Sequence, residues 1–277
     1  MNSQTGASDA DYLATGFRQV DEQANLEKFQ ACLSFMERLE CFRAYKAEVL
    51  RRLELHPGHR VLDVGCGLGF DVDKIADIVG PGGQVVGLDR SAHLLSTATE
   101  RTGANRPGAR FVVGDAHELD FDDEAFDACR IDRTLQHLED PPRVLQELYR
   151  VLRRGGRLVC AEPDWGTLTI ASQDRHTVRR VVETWGDQFR QGWIGRELLG
   201  LVQRLRLTDV TLSGHLLVAE GFSAADTVFD ISRTVELLSK EENTPRYRDW
   251  LADLRHSDTS CPILATVTLF LISGRKD

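Results

Sequence analysis

The stretch Val61–Phe70, which reads VLDVGCGLGF, constrains the fold of this chain more than any other part of it. Its first residues have strand character, its glycines stand at the alternate positions Gly65, Gly67 and Gly69, and the helix-like segment Asp71–Val79 follows. A strand that ends in a glycine-rich turn before a helix forms the nucleotide pocket of a doubly wound sheet. Glycine suits this turn because a Cβ atom would block the close approach of backbone to ligand. The stretch therefore predicts an α/β fold with a ligand pocket at the turn.

The spacing of these glycines separates two classes of nucleotide ligand. Dinucleotide-binding turns read G-x-G-x-x-G, whereas this turn reads G-x-G-x-G and has Asp63 two residues before its first glycine. A pyrophosphate binds best at a helix N-terminus that has no anion beside it. The Asp63 carboxylate is better suited to a cationic ligand, so a nicotinamide-dependent oxidoreductase is disfavoured. A glycine-rich turn without any ligand stays open as the alternative for this stretch alone.

An acidic residue also stands at or just after the end of each of the next two predicted strands. The second strand, Gln84–Asp89, ends in a carboxylate at the position where an acid binds a ribose diol, and Ser91 can cap the helix that follows. The third strand, Arg110–Val113, leads into Asp115. A solvated turn residue is the alternative for Asp89. Its strand, its position and its distance from the glycine turn together favour a role in ligand binding.

These motifs, in this order, resemble those of the class I S-adenosylmethionine-dependent methyltransferases. The pair Gly114-Asp115 resembles the adenine-recognition motif of that family, and the fourth strand, Ala125–Ile131, corresponds to the segment beside the methionine part of the cofactor. The later phrase LRRGGRLVCAEPDW is similar to the small-molecule methyltransferases of the ubiquinone and menaquinone type. The resemblance covers residues 60–165. An acid beside the glycine turn agrees with it, because this cofactor carries a sulfonium and an ammonium group.

The resemblance implies an enzyme that transfers a methyl group from S-adenosyl-L-methionine to a small-molecule acceptor at oxygen, nitrogen or carbon and releases S-adenosyl-L-homocysteine. We expect a role in secondary metabolism, such as natural-product biosynthesis. The cofactor-binding residues that it implies are Asp63, Gly65, Cys66, Gly67, Gly69, Asp89, Arg90, Asp115, Ala116 and, through a backbone carbonyl, Ile131. The alternative is a protein of the same fold that uses the bound cofactor structurally in a cyclisation, without methyl transfer. The absence of Asp63, Asp89 or Asp115 would favour that alternative, and all three aspartates are present.

The fold implied by the resemblance is a doubly wound, Rossmann-like α/β sheet of seven strands whose antiparallel last strand lies between the fifth and the sixth. We expect a single domain over residues 1–277, composed of N-terminal helices (1–56), a cofactor-binding core (57–165), helical insertions over the active site (166–206 and 223–256) and the last two strands (207–219 and 263–273). The sequence predicts the fifth strand at Arg157–Ala161, after a helix that ends at Gly155-Gly156. Ser223 is predicted to cap a later helix.

Several polar and aromatic side chains are candidates for the chemistry itself. Methyl transfer is an in-line displacement at an activated carbon, and a base is needed only where the acceptor must lose a proton. The catalytic candidates are His137, Glu162 and Asp164, and for His137 a packing or capping role is the alternative. Arg133 is a candidate for binding an anionic substrate, and a structural salt bridge is an equal alternative. The candidates for contacts with the acceptor or for covering the cofactor are Tyr12, Phe17, Gln19, Arg133, Trp165 and Trp193.

Composition restricts the partners of the chain. A net charge of −9 and a pI of about 5.4 disfavour binding to nucleic acid, which needs a basic face, and to a membrane surface through a basic helix. The N-terminus is polar and no apolar run approaches the ~18 residues of a membrane span, so we expect a cytoplasmic protein. The six cysteines lack C-x-x-C spacing, which indicates no metal site. We expect a monomer or a homodimer.

Overall fold

Seven β-strands form one mixed sheet in the computed structural model, which describes residues 12–18, 20–22, 26–103, 106–259 and 261–277. The strands are β1 (Arg60–Val64), β2 (Gln84–Asp89), β3 (Ala109–Val113), β4 (Phe126–Asp132), β5 (Leu152–Ile170), β6 (Leu207–Glu220) and β7 (Leu264–Lys276). Their order across the sheet is β3-β2-β1-β4-β5-β7-β6, and β7 runs antiparallel to both of its neighbours. The predicted doubly wound sheet, with its antiparallel last strand between the fifth and the sixth, is confirmed.

The central strands β1 and β4 determine where a ligand can bind. Both are apolar along most of their length, as expected of parallel strands that are covered on both faces. Val64 at the end of β1 pairs with Leu88 of β2 on one side and with Ile131 of β4 on the other. The strand order reverses between β1 and β4, which creates a crevice at their carboxyl ends.

Helices cover both faces of the sheet and continue beyond it. The described α-helices are α1 (Leu13–Gly16), α2 (Leu26–Arg38), α3 (Glu40–Arg52), α4 (Phe70–Val79), α5 (Ala92–Thr102), α6 (Pro141–Val151), α7 (Arg175–Asp187), α8 (Ile194–Gln203), α9 (Phe222–Phe229), α10 (Ile231–Glu241) and α11 (Arg246–Asp258). The Ser91 hydroxyl accepts a hydrogen bond from the Leu94 N–H at 3.0 Å, which confirms the predicted cap of α5. Within the described ranges, every helix is too short or too polar to cross a membrane.

Three predicted boundaries differ from the observed ones. Helix α6 ends at Val151, before the Gly155-Gly156 pair, because Leu152 already pairs with Phe126 in the sheet. Strand β5 continues to Ile170, well past the predicted end, because β7 provides an antiparallel partner along most of that length. Ser223 lies inside α9 and does not cap it, since the helix begins one residue earlier.

The N-terminal helices and the helices that follow β5 pack together over one side of the crevice. Asp230, between α9 and α10, accepts a hydrogen bond from the backbone N–H of Leu13 at 3.0 Å and pairs with Lys28 of α2 at 2.8 Å. The Tyr12 hydroxyl forms a 2.7 Å hydrogen bond with Thr234 of α10. Segments from the two ends of the chain therefore form one cover. The division of the chain into a core and helical insertions stays a prediction.

Two glycines of helix α8, Gly195 and Gly200, allow a matched test of how closely this helix packs on β5. A Cβ atom at Gly195 would lie 2.8 Å from the carbonyl carbon of Pro163 and 2.9 Å from the backbone nitrogen of Asp164, whereas one at the exposed Gly200 meets nothing within 4 Å. We therefore expect Gly195→Ala to lower the free energy of unfolding by about 1–3 kcal/mol. Gly200→Ala should raise it by about 0.5–1 kcal/mol through helix propensity. Urea unfolding of both variants measures the difference, and equal effects would contradict the close packing.

Candidate functional site

A cavity of about 900 Å³ occupies the crevice at the carboxyl ends of β1, β2 and β4. Its wall combines the glycine turn after β1 with the residues that follow β2, β3 and β4. Side chains of the N-terminal segment, α2, α3, α7 and α9 complete the wall. The predicted cofactor residues that lie at this wall are Gly65, Cys66, Gly67, Asp89, Arg90, Asp115 and Ala116. The topology thus brings residues that are distant in sequence to one enclosed space.

The three glycines of the turn all have a left-handed backbone, with φ values of +72°, +52° and +70° at Gly65, Gly67 and Gly69. A Cβ atom at Gly65 would lie 2.0 Å from the Thr134 hydroxyl, and one at Gly69 would lie 2.7 Å from the Phe111 ring. At Gly67 the nearest atom is a Leu33 methyl at 3.6 Å. The outer two glycines are therefore needed for packing. Gly67 leaves an open space at the cavity wall, which a ligand can approach closely.

Asp89, at the end of β2, holds the glycine turn and also borders the cavity. One carboxylate oxygen accepts the Gly67 N–H at 2.9 Å, and the other accepts the Ser91 N–H at 3.0 Å. Burial raises the pKa of Asp89, while these backbone hydrogen bonds act to lower it. Each carboxylate oxygen can accept a further hydrogen bond. The residue is thus equipped to bind a ligand hydroxyl without releasing the turn.

Asp115 presents a second carboxylate to the cavity, and 68% of its side chain is exposed. Burial acts to raise its pKa, but hydrogen bonds from the backbone N–H and the imidazole of His117 lower it below the ordinary value. The other ring nitrogen of His117 accepts the Asp140 N–H at 3.3 Å, so its Nδ1–H is the donor to Asp115. Asp115 is therefore ionised at neutral pH and held in a fixed position by His117.

Asp63 does not meet the expectation that it faces a cationic ligand. Its side chain is buried away from the cavity wall and accepts a 2.7 Å hydrogen bond from Arg130, its register partner on β4. Burial raises the pKa of Asp63 to about 6, and Arg130 acts in the opposite direction. The residue forms an ion pair beneath the turn, because a buried carboxylate needs a partner and the neighbouring strand provides one. An arginine inside an otherwise apolar strand was the sequence signal for this pair.

Arg130 is the centre of a buried charge network beside the cavity. It also pairs with Asp71 of α4 at 2.7 Å and with Asp132 at the end of β4 at 2.5 Å. Lys46 of α3 binds the Asp71 carboxylate at 2.8 Å, and the Tyr45 hydroxyl lies 3.2 Å from Asp132. Arg130, Asp132, Asp71 and Lys46 all border the cavity. No sequence motif pointed to these residues, although Lys46 stands out as a lysine on the apolar stripe of its helix.

Ile131 and Gly69 do not place side atoms at the cavity wall. The Ile131 side chain is fully buried in the core, and its neighbours Arg130 and Asp132 border the cavity. The predicted contact of the cofactor with the backbone carbonyl at Ile131 stays a prediction. Gly69 packs against Phe111 behind the turn and is not part of the wall.

The candidates for contact with an acceptor divide into two groups. Arg133, Trp165 and Phe17 border the cavity. Trp193 does not, because 56% of it is exposed and its ring packs on the Arg196 guanidinium at 4.8 Å. Tyr12 is buried behind the wall, with its ring 5.5 Å from that of Trp185. Gln19 lies outside the described residues. Trp185, which has the spacing of a core residue, is the tryptophan that borders the cavity together with Trp165.

Of the three catalytic candidates, His137 is the one at the cavity wall. Its ring lies between Phe17 at 5.7 Å and Phe189 at 5.6 Å. Burial, with smaller contributions from the charges of Arg18 and Arg133, lowers the pKa of His137 to about 3. The imidazole is therefore neutral at physiological pH. Its buried Nδ1 has no hydrogen-bond partner among the described residues.

Glu162 and Asp164 lie behind the wall and hold other residues in place. One oxygen of Glu162 accepts the backbone N–H groups of Thr134 and Leu135 at 2.8 and 2.6 Å, at the start of the short turn that carries His137. Asp164 binds Arg196, with one oxygen 2.8 Å from Nη2. Asp164 is thus not available to a ligand, and Glu162 positions the turn after β4.

The protonation of Glu162 gives the site a measurable pH dependence. Burial raises its pKa from an ordinary value of 4.5 to about 8, so the folded protein binds this proton more tightly than the unfolded chain. Its contribution to the free energy of unfolding therefore falls as the pH rises from 4.5 to 8, by on the order of 1 kcal/mol for each pH unit. Glu162→Gln keeps the acceptor for both backbone N–H groups and removes the titration. We expect its melting temperature to decrease less than that of the wild type between pH 5 and 8.

The control for this measurement is Glu118→Gln, an exposed acid on the loop after β3. It should reproduce the pH profile of the wild type, since its side chain is 87% exposed and lies outside the buried turn that Glu162 holds. Asp63 titrates in all three proteins and does not affect the comparison. Parallel profiles for the wild type and Glu162→Gln would show that Glu162 is ionised in the folded protein.

The comparisons with known proteins agree with this geometry. A family model described as a methyltransferase domain matches residues 55–198, more than half of the chain. An uncharacterized 37.1 kDa protein in transposon Tn4556 of Streptomyces fradiae is 36% identical over 246 residues, which cover 87% of this chain and 70% of that protein. The demethylmenaquinone methyltransferase of Staphylococcus aureus strain JH9 is 34% identical over 164 residues, which cover 56% of this chain and 68% of that enzyme.

The solved structures support the same fold. The YcgJ protein of Bacillus subtilis superposes with a TM-score of 0.62 at 19% identity, over 84% of this chain and 98% of that one. One conclusion follows from the matched family model, the relatives and the order of the strands. This chain belongs to the class I S-adenosylmethionine-dependent methyltransferases, and it is an enzyme that uses S-adenosyl-L-methionine.

Proposed function

We propose that this enzyme methylates a small organic acceptor that binds in the same cavity as the cofactor. The observation that carries the proposal is the composition of the cavity wall. One part consists of the glycine turn and carboxylates, and another consists of aromatic and aliphatic side chains, including Trp165, Trp185, Phe189 and Phe229. Small-molecule pockets have volumes of ~300–1,000 Å³. A volume of about 900 Å³ is near the upper end, which supports space for a cofactor together with a small acceptor.

The residues at the polar part of the wall fit the cofactor. The open space at Gly67 allows close approach of a ligand to the backbone, and Asp89 has acceptor capacity left for the ribose hydroxyls. The ionised, exposed Asp115 suits the exocyclic amine of adenine, and Asp132 adds negative charge beside a cationic ligand. The bound cofactor supplies an electrophilic methyl group on a sulfonium centre.

The protein contributes orientation and the exclusion of water. The turn after β4, which Glu162 holds, sets the positions of Arg133 and His137 at the wall. A histidine whose pKa is about 3 is a weak base, so we assign His137 to hydrogen bonding with the acceptor and not to removal of a proton. Glu162 is a positioning residue. The apolar part of the wall favours a displacement in which charge is dispersed, because apolar side chains keep water away from the reacting groups.

The first test is ligand binding followed by transfer. S-adenosyl-L-homocysteine at 100 times its Kd should stabilise the protein by about 2.7 kcal/mol, measured as a shift of the melting temperature, and NAD should give no shift. Transfer of a labelled methyl group to members of an acceptor panel then identifies the reaction. A shift with NAD alone would contradict the proposal. Cofactor binding without transfer to any acceptor would favour the cyclisation alternative.

Asp89→Asn tests the proposed contact with the ribose. The amide keeps one acceptor oxygen but loses the charge, so we expect the affinity for S-adenosyl-L-homocysteine to weaken by about 1–3 kcal/mol, measured by calorimetry. The matched control is Asp253→Asn, an exposed acid on α11 outside the cavity wall, which should leave the affinity unchanged. Unchanged affinity in Asp89→Asn, with a normal melting temperature, would remove Asp89 from the cofactor site.

The sequence also supports predictions about the class of acceptor and about the location and oligomeric state of the enzyme. The net charge of −9 supports a small acceptor over nucleic acid, as does the apolar part of the cavity wall. A cytoplasmic location, a role in secondary metabolism and a monomeric or homodimeric state stay predictions.

A further inference from the structure

Aromatic rings form a continuous cluster at one part of the cavity wall. The rings of Trp165 and Phe189 are stacked, with centroids 4.7 Å apart and an angle of 22° between their planes. Trp185 meets Trp165 edge to face at 5.5 Å, and Phe229 does so at 6.2 Å. His137 packs on Phe189 at 5.6 Å. All five residues border the cavity, and we call them the aromatic cluster. Such a surface binds flat rings by offset stacking and edge-to-face contact.

Arg133 borders the same cavity, and its guanidinium has an ion pair at 3.5 Å with Asp132 but no hydrogen bond to an oxygen among the described residues. Its side chain is 18% exposed, its Nε–H is buried without a hydrogen bond, and its contacts are the Met36 sulfur at 3.1 Å and the Phe42 ring at 5.2 Å. The Asp132 carboxylate lies 3.5 Å away, outside good hydrogen-bond geometry, and already binds Arg130. A guanidinium in this position has donors available for an anion.

The other cavity arginines differ from Arg133 in this respect. Among the described residues at the wall, Arg130 binds three carboxylates, Arg18 and Arg90 donate to backbone carbonyl oxygens, and Arg190 pairs with Glu139. Arg133 alone in this group donates to no oxygen. Burying a charge with so little pairing is costly unless a ligand completes the site.

The backbone of Arg133 is also unusual. Its φ is +53°, in the left-handed region that non-glycine residues rarely adopt. The Arg133 N–H is held by the carbonyl oxygen of Ala161 at 2.7 Å, which fixes this conformation at the end of β4. Such strain is retained mainly at functional sites, where the surrounding structure imposes it. Arg133 stands four residues before His137 of the aromatic cluster, and both residues border the cavity.

We propose that the acceptor is an aromatic acid, whose flat ring packs on the aromatic cluster and whose carboxylate or other oxyanion binds Arg133. This inference rests on the proposed methyl transfer to a small molecule. The ring accounts for the stacked and edge-on faces at the wall, and the anion supplies hydrogen-bond acceptors for a guanidinium whose ion pair with Asp132 spans 3.5 Å. Arg–carboxylate pairs are frequently bidentate, which would fix the orientation of the ring as well as its affinity.

A ligand series on the wild-type enzyme tests the chemical class without any substitution. The three probes, each titrated with saturating S-adenosyl-L-homocysteine, are 3-hydroxy-2-naphthoate, 2-naphthol and cyclohexanecarboxylate. Quenching of tryptophan fluorescence and calorimetry report binding. The naphthoate, which has both the ring and the anion, should bind roughly 10-fold or more tightly than either partial probe, in line with one charged hydrogen-bonded contact. Equal affinity of the naphthoate and the naphthol would overturn the proposal.

Variants then assign the contacts. Arg133→Gln should weaken binding of the naphthoate by roughly 10- to 100-fold and leave 2-naphthol unchanged. Arg133→Lys should restore part of the loss. The matched control Arg180→Gln removes an arginine of α7 that is paired with Glu242 outside the cavity wall, and it should change neither ligand. Phe189→Leu should weaken both ring-bearing probes to a similar extent. A loss of 2-naphthol binding in Arg133→Gln, or no loss of naphthoate binding, would contradict the assignment.

The carboxylate of the cofactor is the competing anion, and a further comparison separates the two sources. S-adenosyl-L-homocysteine carries a methionine-derived carboxylate, whereas 5′-methylthioadenosine does not. If Arg133 binds the acceptor, Arg133→Gln leaves the affinity for both nucleosides unchanged. A selective loss of S-adenosyl-L-homocysteine binding assigns Arg133 to the cofactor and overturns the proposal. Failure of the wild-type enzyme to bind S-adenosyl-L-homocysteine would instead overturn the proposed function, so the two failures are distinguishable.

Discussion

The ion pairs of Arg130 are the interaction on which the rest of the site depends. The side chain is buried in the sheet and joins β1 through Asp63, α4 through Asp71 and the end of β4 through Asp132. Through Asp71 the network reaches Lys46, and with it the N-terminal helices. Removing one partner of a buried ion pair costs about 3–5 kcal/mol, because the other charge is left uncompensated. The positions of the glycine turn and of the N-terminal helices are therefore coupled by charge as well as by packing.

This network also determines which groups at the cavity carry charge. Arg130 pairs with Asp63 beneath the turn and with Asp132, and of these two carboxylates Asp132 is the one that borders the cavity. Burial keeps His137 neutral a few residues away. The two parts of the cavity consequently have different chemistry, one suited to a polar nucleoside with cationic groups and the other to an apolar ring. The difference arises from which side chains are paired inside the protein and not from the composition of the wall alone.

The sequence predicted the parallel half of the sheet closely, because each of those strands ends in a local signal. Strands β1 and β2 have the predicted bounds, and Asp89 and Asp115 border the cavity, since both follow directly from strand and turn patterns. The direction of the Asp63 side chain was wrong because it depends on a partner from another strand, Arg130. Trp193, which was predicted to contact the acceptor, lies outside the cavity wall, whereas Trp185 borders it. Trp185 packs against Tyr12, which is far from it in sequence and gives no local signal.

The difference between local sequence signals and contacts of distant segments also explains why the family alone does not identify the acceptor. The matched domain, residues 55–198, contains every residue that we propose for the cofactor. Other side chains at the cavity wall come from outside those bounds, including Met36 and Phe42 before the domain and Leu217 and Phe229 after it. These residues reach the wall through contacts between the two ends of the chain, such as the pair of Asp230 with Lys28. We infer that side chains from inside and outside the matched domain together set the specificity of the enzyme, so the acceptor has to be derived from the shape and charge of this cavity.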